Sequence, residues 1–171
     1  MGGETKTEAA LQEFDEVRDA FREKMEGVPE PALSYLKPGD DYALGGLVYH
    51  VNGVLERYLE VLQGVMAGSD QVVLADPTST LERANQRALE GVEPGELSDA
   101  LESMDNLHRQ MRTMAASVPA QDWERTCAVQ EGTHAPYAAS VTAVLGWVSG
   151  HYEEHTPQVD ELLRDWKSRQ G

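Results

Sequence analysis

The chain has 171 residues, with 30 Asp and Glu against 14 Lys and Arg, so its net charge is −16 at pH 7, which disfavours nucleic acid and anionic lipid as partners. The length fits a single domain, residues 1–171, able to bury roughly 70% of the surface of its unfolded form without disulfides. One cysteine, Cys127, no basic-then-apolar leader and no apolar stretch longer than Tyr137 to Val148 set the expectation of a cytoplasmic location and no membrane span.

Apolar residues recur with helical period, and no alternating or Val-rich block bounded by hairpin residues supports strands. The first predicted helix runs from about Lys6 to Glu26. Thr5 and Glu8 have capping-box spacing, Leu11, Phe14, Val17, Phe21 and Met25 mark the inner face, and Gly27 with Pro29 and Pro31 ends it. The second begins at Asp40 or Asp41 and continues to about Ala67, with Leu44, Leu47, Val48, Val51, Leu55, Tyr58, Leu62 and Val65 stepping by three and four. Ser69 to Thr78 reads as a connection. Ser79 and Glu82 then offer a capping box for a short helix ending at Gly91.

A third long helix spans about Glu96 to Val118, with Leu97, Leu101, Met104, His108, Met111 and Ala115 on one face and Pro119 as its stop. Ala120 to Ala135 lacks periodicity and reads as a partly structured loop. Pro136 suits the first turn of the last helix. The inner face of that helix runs Val141, Leu145, Val148, Tyr152, His155, Val159, Leu162 and Trp166, and the step survives across Pro157, predicting a kink.

Four long stripes predict an all-α four-helix bundle. About 14 residues join the first pair, and about 28 separate the second long helix from the third. The longer stretch can climb a helix of roughly 39 Å. The prediction is therefore up-down-down-up, with a long crossover between helices 2 and 3.

Two of the five histidines carry a spacing with chemical content. His151 and His155 stand four apart, so their rings share a helix face, about 5 to 6 Å apart at Cβ, a geometry for gripping one cation. On that buried face two unpartnered imidazoles would be costly, and a shared ion relieves both. His50 lies on nearly the same angular face as Leu47, Val54 and Val61. In the antiparallel pairing expected of the second and last helices, it comes within reach of the pair. Three neutral imidazoles would hold an ion and leave a coordination position for water or substrate.

The histidine in GGLVYHVNGVLERY, with HxxxHxxQ in HYEEHTPQVDELL, resembles the DinB-like superfamily, whose YfiT-type members are metal-binding four-helix bundles. The resemblance covers nearly the whole chain, including the crossover and a tryptophan before the last helix. It implies that His50, His151 and His155 are metal ligands and that Gln158 matches the glutamine that often follows them. Related proteins are similar to transferases and isomerases that use low-molecular-weight thiols, and they often form homodimers. Pro157 departs from the usual Gly or Ala before that glutamine.

Other metal patterns fit less well. HYEEH also reads as HxxEH, but its further ligand should lie far downstream, and only sixteen residues follow His155. A carboxylate-bridged di-iron bundle needs ExxH on two helices, and the one such spacing is Glu131 to His134. Glu154 lies about 60° from His151 on a 100° step, making it the candidate for proton transfer, beside the reading of a solvated surface carboxylate. His108 reads as a hydrogen-bonded core residue, His134 and Tyr137 as loop and core, Cys127 as a small hydrophobe, and Tyr49, Asn52 and Tyr58 as pocket borders or packing.

The functional expectation is a metal-dependent transferase or hydrolase acting on a small molecule. Zinc or nickel at a tris-histidine site would activate a water or thiol. The alternative is a non-catalytic metal-binding or stress-linked bundle.

Overall fold

Leu11, Phe14, Phe21 and Met25 fall on one stripe of the first helix, α1 (Gly2–Glu26), and all four are buried. The computed structural model describes residues 2–171, with side chains from Lys6 onward. The Thr5 side chain of the expected capping box lies outside the described residues, and the helix begins before it.

The second helix, α2 (Leu47–Met66), starts later than Asp40 or Asp41. The residues before it turn inward: the amides of Ala43, Leu44 and Gly45 donate to the carbonyls of Ala88, Tyr35 and Leu33, and Ala43 and Leu44 are sealed in the core. Amides directed to those distant partners cannot start a helix at Asp41, so the cap falls to Gly46, where any side chain would run into the Ala88 carbonyl.

The crossover contains a strand, β1 (Gln71–Leu74), and a helix, α3 (Thr78–Glu90). The expected Ser79–Glu82 box does not cap α3; the Asp76 carboxylate accepts from the Thr78 amide instead. Gly91 ends it at a φ of 79°, which favours glycine. A Cβ on Gly53 would come within 2.6 Å of the Ala84 Cβ, so α3 lies directly against α2. The next helix, α4 (Glu96–Ala116), matches its expected span closely.

Two further strands, β2 (Cys127–Glu131) and β3 (Tyr137–Ala139), correct the reading of 120–135 as loop and of Pro136 as a helix start. β1 pairs in parallel with β2, Gln71 opposite Ala128, and β3 runs antiparallel to β2 on its other side. None of the three exceeds five residues, and parallel pairing across more than fifty residues leaves no local signature. The last helix, α5 (Val141–Ser168), is capped by Ser140, whose Oγ accepts from the Ala143 amide, and continues through Pro157.

The chain is thus mainly helical, with a small three-stranded sheet. α2 packs on α3, α4 and α5, and α1 packs on α4 and α5. Among the described residues, no helix is long and apolar enough to cross a membrane.

Candidate metal centre

His50 lies in the first turn of α2, and His151 and His155 lie on successive turns of α5. The two helices meet along a seam with two aromatic rungs. His50 faces both α5 histidines, with ring centroids 4.8 and 4.9 Å away, and Tyr58 faces Trp147 at 5.6 Å. His151 and His155 are 4.5 Å apart. One ligand nitrogen from each of the three rings lies within 4.8 Å of the others.

The back of this cluster is tethered. His50 Nδ1 is 2.8 Å from Asn85 Oδ1, and His155 Nδ1 is 2.7 Å from Gln158 Oε1. Each oxygen is an acceptor, so each Nδ1 carries a proton, the tautomer that in a neutral ring leaves the Nε2 lone pair free. His151 Nδ1 lies 4.0 Å from a Glu154 carboxylate oxygen. Tyr42 stacks on His50, centroids 4.2 Å apart, and stands edge-on to His155.

The front is unsatisfied. His151 Nε2 and His155 Nε2 are buried without a hydrogen-bond partner, a cost of about 1–3 kcal/mol each if nothing fills it. Protonation does not offer relief at His151, because burial first and the two neighbouring imidazoles second push it down to about 3. Burial likewise holds His50 below the ordinary histidine value, with the Asn85 bond acting in the opposite sense. Neutral imidazoles with unfilled lone pairs pointing into one small space suit a divalent cation, so the residues present fit a metal.

The other anticipated residues divide. Glu154 is 72% exposed beside the cluster, and Glu153 is exposed. His108 is a core residue bonded to Asp15 and lies outside the cluster. His134 is exposed beside Asp76, and Cys127 is buried in β2. Tyr49 and Asn52 border a polar pocket against α3 and α4, whereas Tyr58 borders an apolar cavity against Trp147. Sequence reasoning missed Asn85 and Tyr42. Asn85 belongs to a helix whose docking on α2 is non-local, Tyr42 lies in the inward turn just before α2, and no spacing marks either one.

A family model described as the DinB superfamily matches residues 8–159, which includes all three histidines and both tethers. No curated protein matches the chain significantly.

Proposed function

Because the chain belongs to the DinB superfamily, we propose that it binds one divalent transition metal, zinc or nickel, through His50, His151 and His155 and uses it in a transferase or hydrolase reaction on a small molecule. The observation that carries the reading is the pair of buried, unpartnered Nε2 atoms facing His50. When bound, such an ion supplies Lewis acidity for activating a water or a low-molecular-weight thiol toward an electrophile.

The protein's own residues have separable tasks. The three Nε2 atoms bind. Asn85 and Gln158 hold two of the rings in the tautomer that keeps those atoms free. Tyr42 covers one side of the cluster and restricts water there. Glu154 takes the proton-transfer role in this reading, supported by its position 4.0 Å from His151 Nδ1 at the exposed edge. The reading takes the four long helices as an up-down-down-up bundle. Its support is that Asn52 and Ala100, each near the start of its helix, are bonded, and that Lys24 pairs with Asp160 near the ends of theirs. A homodimer belongs to the same proposal on family resemblance alone, and a cytoplasmic location on the lone Cys127 and the sequence pattern.

The test is metal analysis of the purified protein after reloading with zinc or nickel, beside a His151→Ala variant. One equivalent in the parent and little in the variant is expected; no uptake in either overturns the metal reading. Turnover with thiols and model electrophiles then separates enzyme from non-catalytic metal protein.

A further inference from the structure

The seam that carries the histidines opens, one helical turn further along, into a cavity of about 390 Å³. Val54 follows His50 by four residues on α2, Trp147 precedes His151 by four on α5, and Leu81 precedes Asn85 by four on α3. α2 and α5 run in opposite directions along the seam, so these steps all go the same way, by about 6 Å along each axis. The three elements that build the histidine cluster and its tether therefore also build the cavity wall. Tyr58 and Tyr137 complete it, both packed on Trp147.

We propose that this cavity seats the flat, uncharged, apolar portion of the small molecule acted on at the histidine cluster, which places the molecule's reactive end toward His50 and His151. The proposal rests on the metal-centre reading for the second half of that statement and on the cavity alone for the first.

Charge selects the occupant. Arg57 reaches the cavity, but its guanidinium is committed to Glu131, Glu60 and the Ala75 carbonyl. Glu131 in turn accepts from Arg57 and from the Tyr137 hydroxyl. The guanidinium has no free edge, so an anion gains no partner by entering, and a cation would have to compete with Arg57 for Glu131. The remaining wall presents two tyrosine rings, an indole and the aliphatic Val54, Leu81 and Pro77. Aromatic faces and edges favour a planar ring, and the volume suits a small molecule. Every lining residue is half-buried, neither sealed nor fully exposed, so the cavity is open to entry.

The test uses 4-fluorobenzyl alcohol as probe, followed by fluorine NMR, with 4-fluorobenzoate and 4-fluorobenzylammonium as charged counterparts. A Kd of about 1 mM is expected for the neutral probe. Both charged counterparts should bind about tenfold more weakly. The ammonium is the decisive comparison, because the net charge of −16 attracts it generally. Leu81→Trp, which fills the cavity, should abolish binding, and the milder Val54→Phe should weaken it, with far-UV circular dichroism unchanged in both. Equal binding of all three probes, no binding, or binding indifferent to both substitutions overturns the proposal.

Loading with cobalt separates the two readings, with zinc as the diamagnetic control. Cobalt taken up and the bound probe's signal broadened supports the whole. Cobalt taken up without broadening overturns the link between cavity and cluster. Substitution-sensitive probe binding without cobalt uptake leaves the cavity standing and overturns the metal reading.

Discussion

His108 and His155 are nearly equally hidden, 1% and 4% exposed, and both lie on inward helix faces, yet their surroundings are opposite. His108 is satisfied on every side. Its Nε2 donates to Asp15, its Nδ1 lies 3.4 Å from the Tyr152 hydroxyl, its ring stacks on Phe14, and Arg112 holds the far oxygen of Asp15. His155 is bonded at Nδ1 alone, and its Nε2 faces His50 and His151 with nothing to accept. Burial by itself therefore does not mark a ligand. What marks one is a lone pair that the fold has positioned and left unfilled.

The largest test of that contrast exchanges the two environments. In metal-free protein, His108→Ala should cost about 2–4 kcal/mol, since it opens a void beside Phe14 and strips Asp15 and Tyr152 of a shared partner. His151→Ala should change stability by no more than about 1 kcal/mol, because the ring it removes has no bond to lose. Zinc at a hundredfold excess over its Kd should close most of that gap. It adds about 2.7 kcal/mol to the parent and to His108→Ala, and almost nothing to the His50, His151 or His155 alanine variants. Denaturant midpoints with and without zinc give all of these values, and far-UV circular dichroism should stay helical throughout. A His151→Ala protein as damaged as His108→Ala would dissolve the distinction.

The tethers sharpen it further. Asn85→Ala and Gln158→Ala leave all three ligand nitrogens in place but free two rings to turn. Each should lower zinc affinity by about ten- to a hundredfold, with little change in the metal-free midpoint. Competition against a chromophoric chelator measures it. Unchanged affinity in both would mean that packing alone, including the Tyr42 stack, orients the rings.

These two tethers also show where the sequence is readable and where it is not. The approach of His50 to His151 and His155 follows from helical period and an antiparallel pairing of two long helices, both expressed in local patterns. Gln158 is legible only through resemblance to a family. Asn85 lies on a helix whose existence was legible, but its placement depends on Gly46 and Gly53 letting α3 lie against α2, and a glycine carries no mark of what approaches it. The strands escaped for a related reason. Val129 and Tyr137 pair across strands of five and three residues, too short for alternation to register. The start of α2 has no local mark, because the amides before it bond to carbonyls at positions 33, 35 and 88 rather than to neighbours.

A smaller effect is the pH dependence of the metal-free protein, to which His151 and His50 contribute with the same sign as His108. Burial pushes His108 down to about 4, against the opposing pull of its Asp15 bond; Arg18, Asp105, Arg112 and Tyr152 also face this network. With a folded value below the unfolded 6.5, the unfolded chain takes up the proton first. The stabilisation is complete above about pH 6.5 and is lost as pH falls toward 4, by at most about 1.4 kcal/mol per pH unit. His108→Gln should flatten the slope in that window, as read from denaturant midpoints between pH 7 and 4.5. A slope unaltered by His108→Gln would show that the loss arises elsewhere.

The smallest binding effect is expected at Glu154, the cluster's counterpart to Asp15. Asp15 lies 3.0 Å from His108 with its side chain 29% exposed; Glu154 lies 4.0 Å from His151 and is 72% exposed. An exposed carboxylate at that distance is screened by water, so Glu154→Gln should change zinc affinity by no more than about fivefold. Turnover, once a substrate is in hand, responds differently according to the residue's task. If Glu154 moves a proton at the centre, the rate falls by about 10²- to 10⁴-fold at full metal occupancy, and the pH–rate profile loses a limb. If it only steadies His151, the rate follows metal content and the profile keeps its shape. Because the substitution barely disturbs binding, the ratio of lost rate to lost metal assigns the role directly.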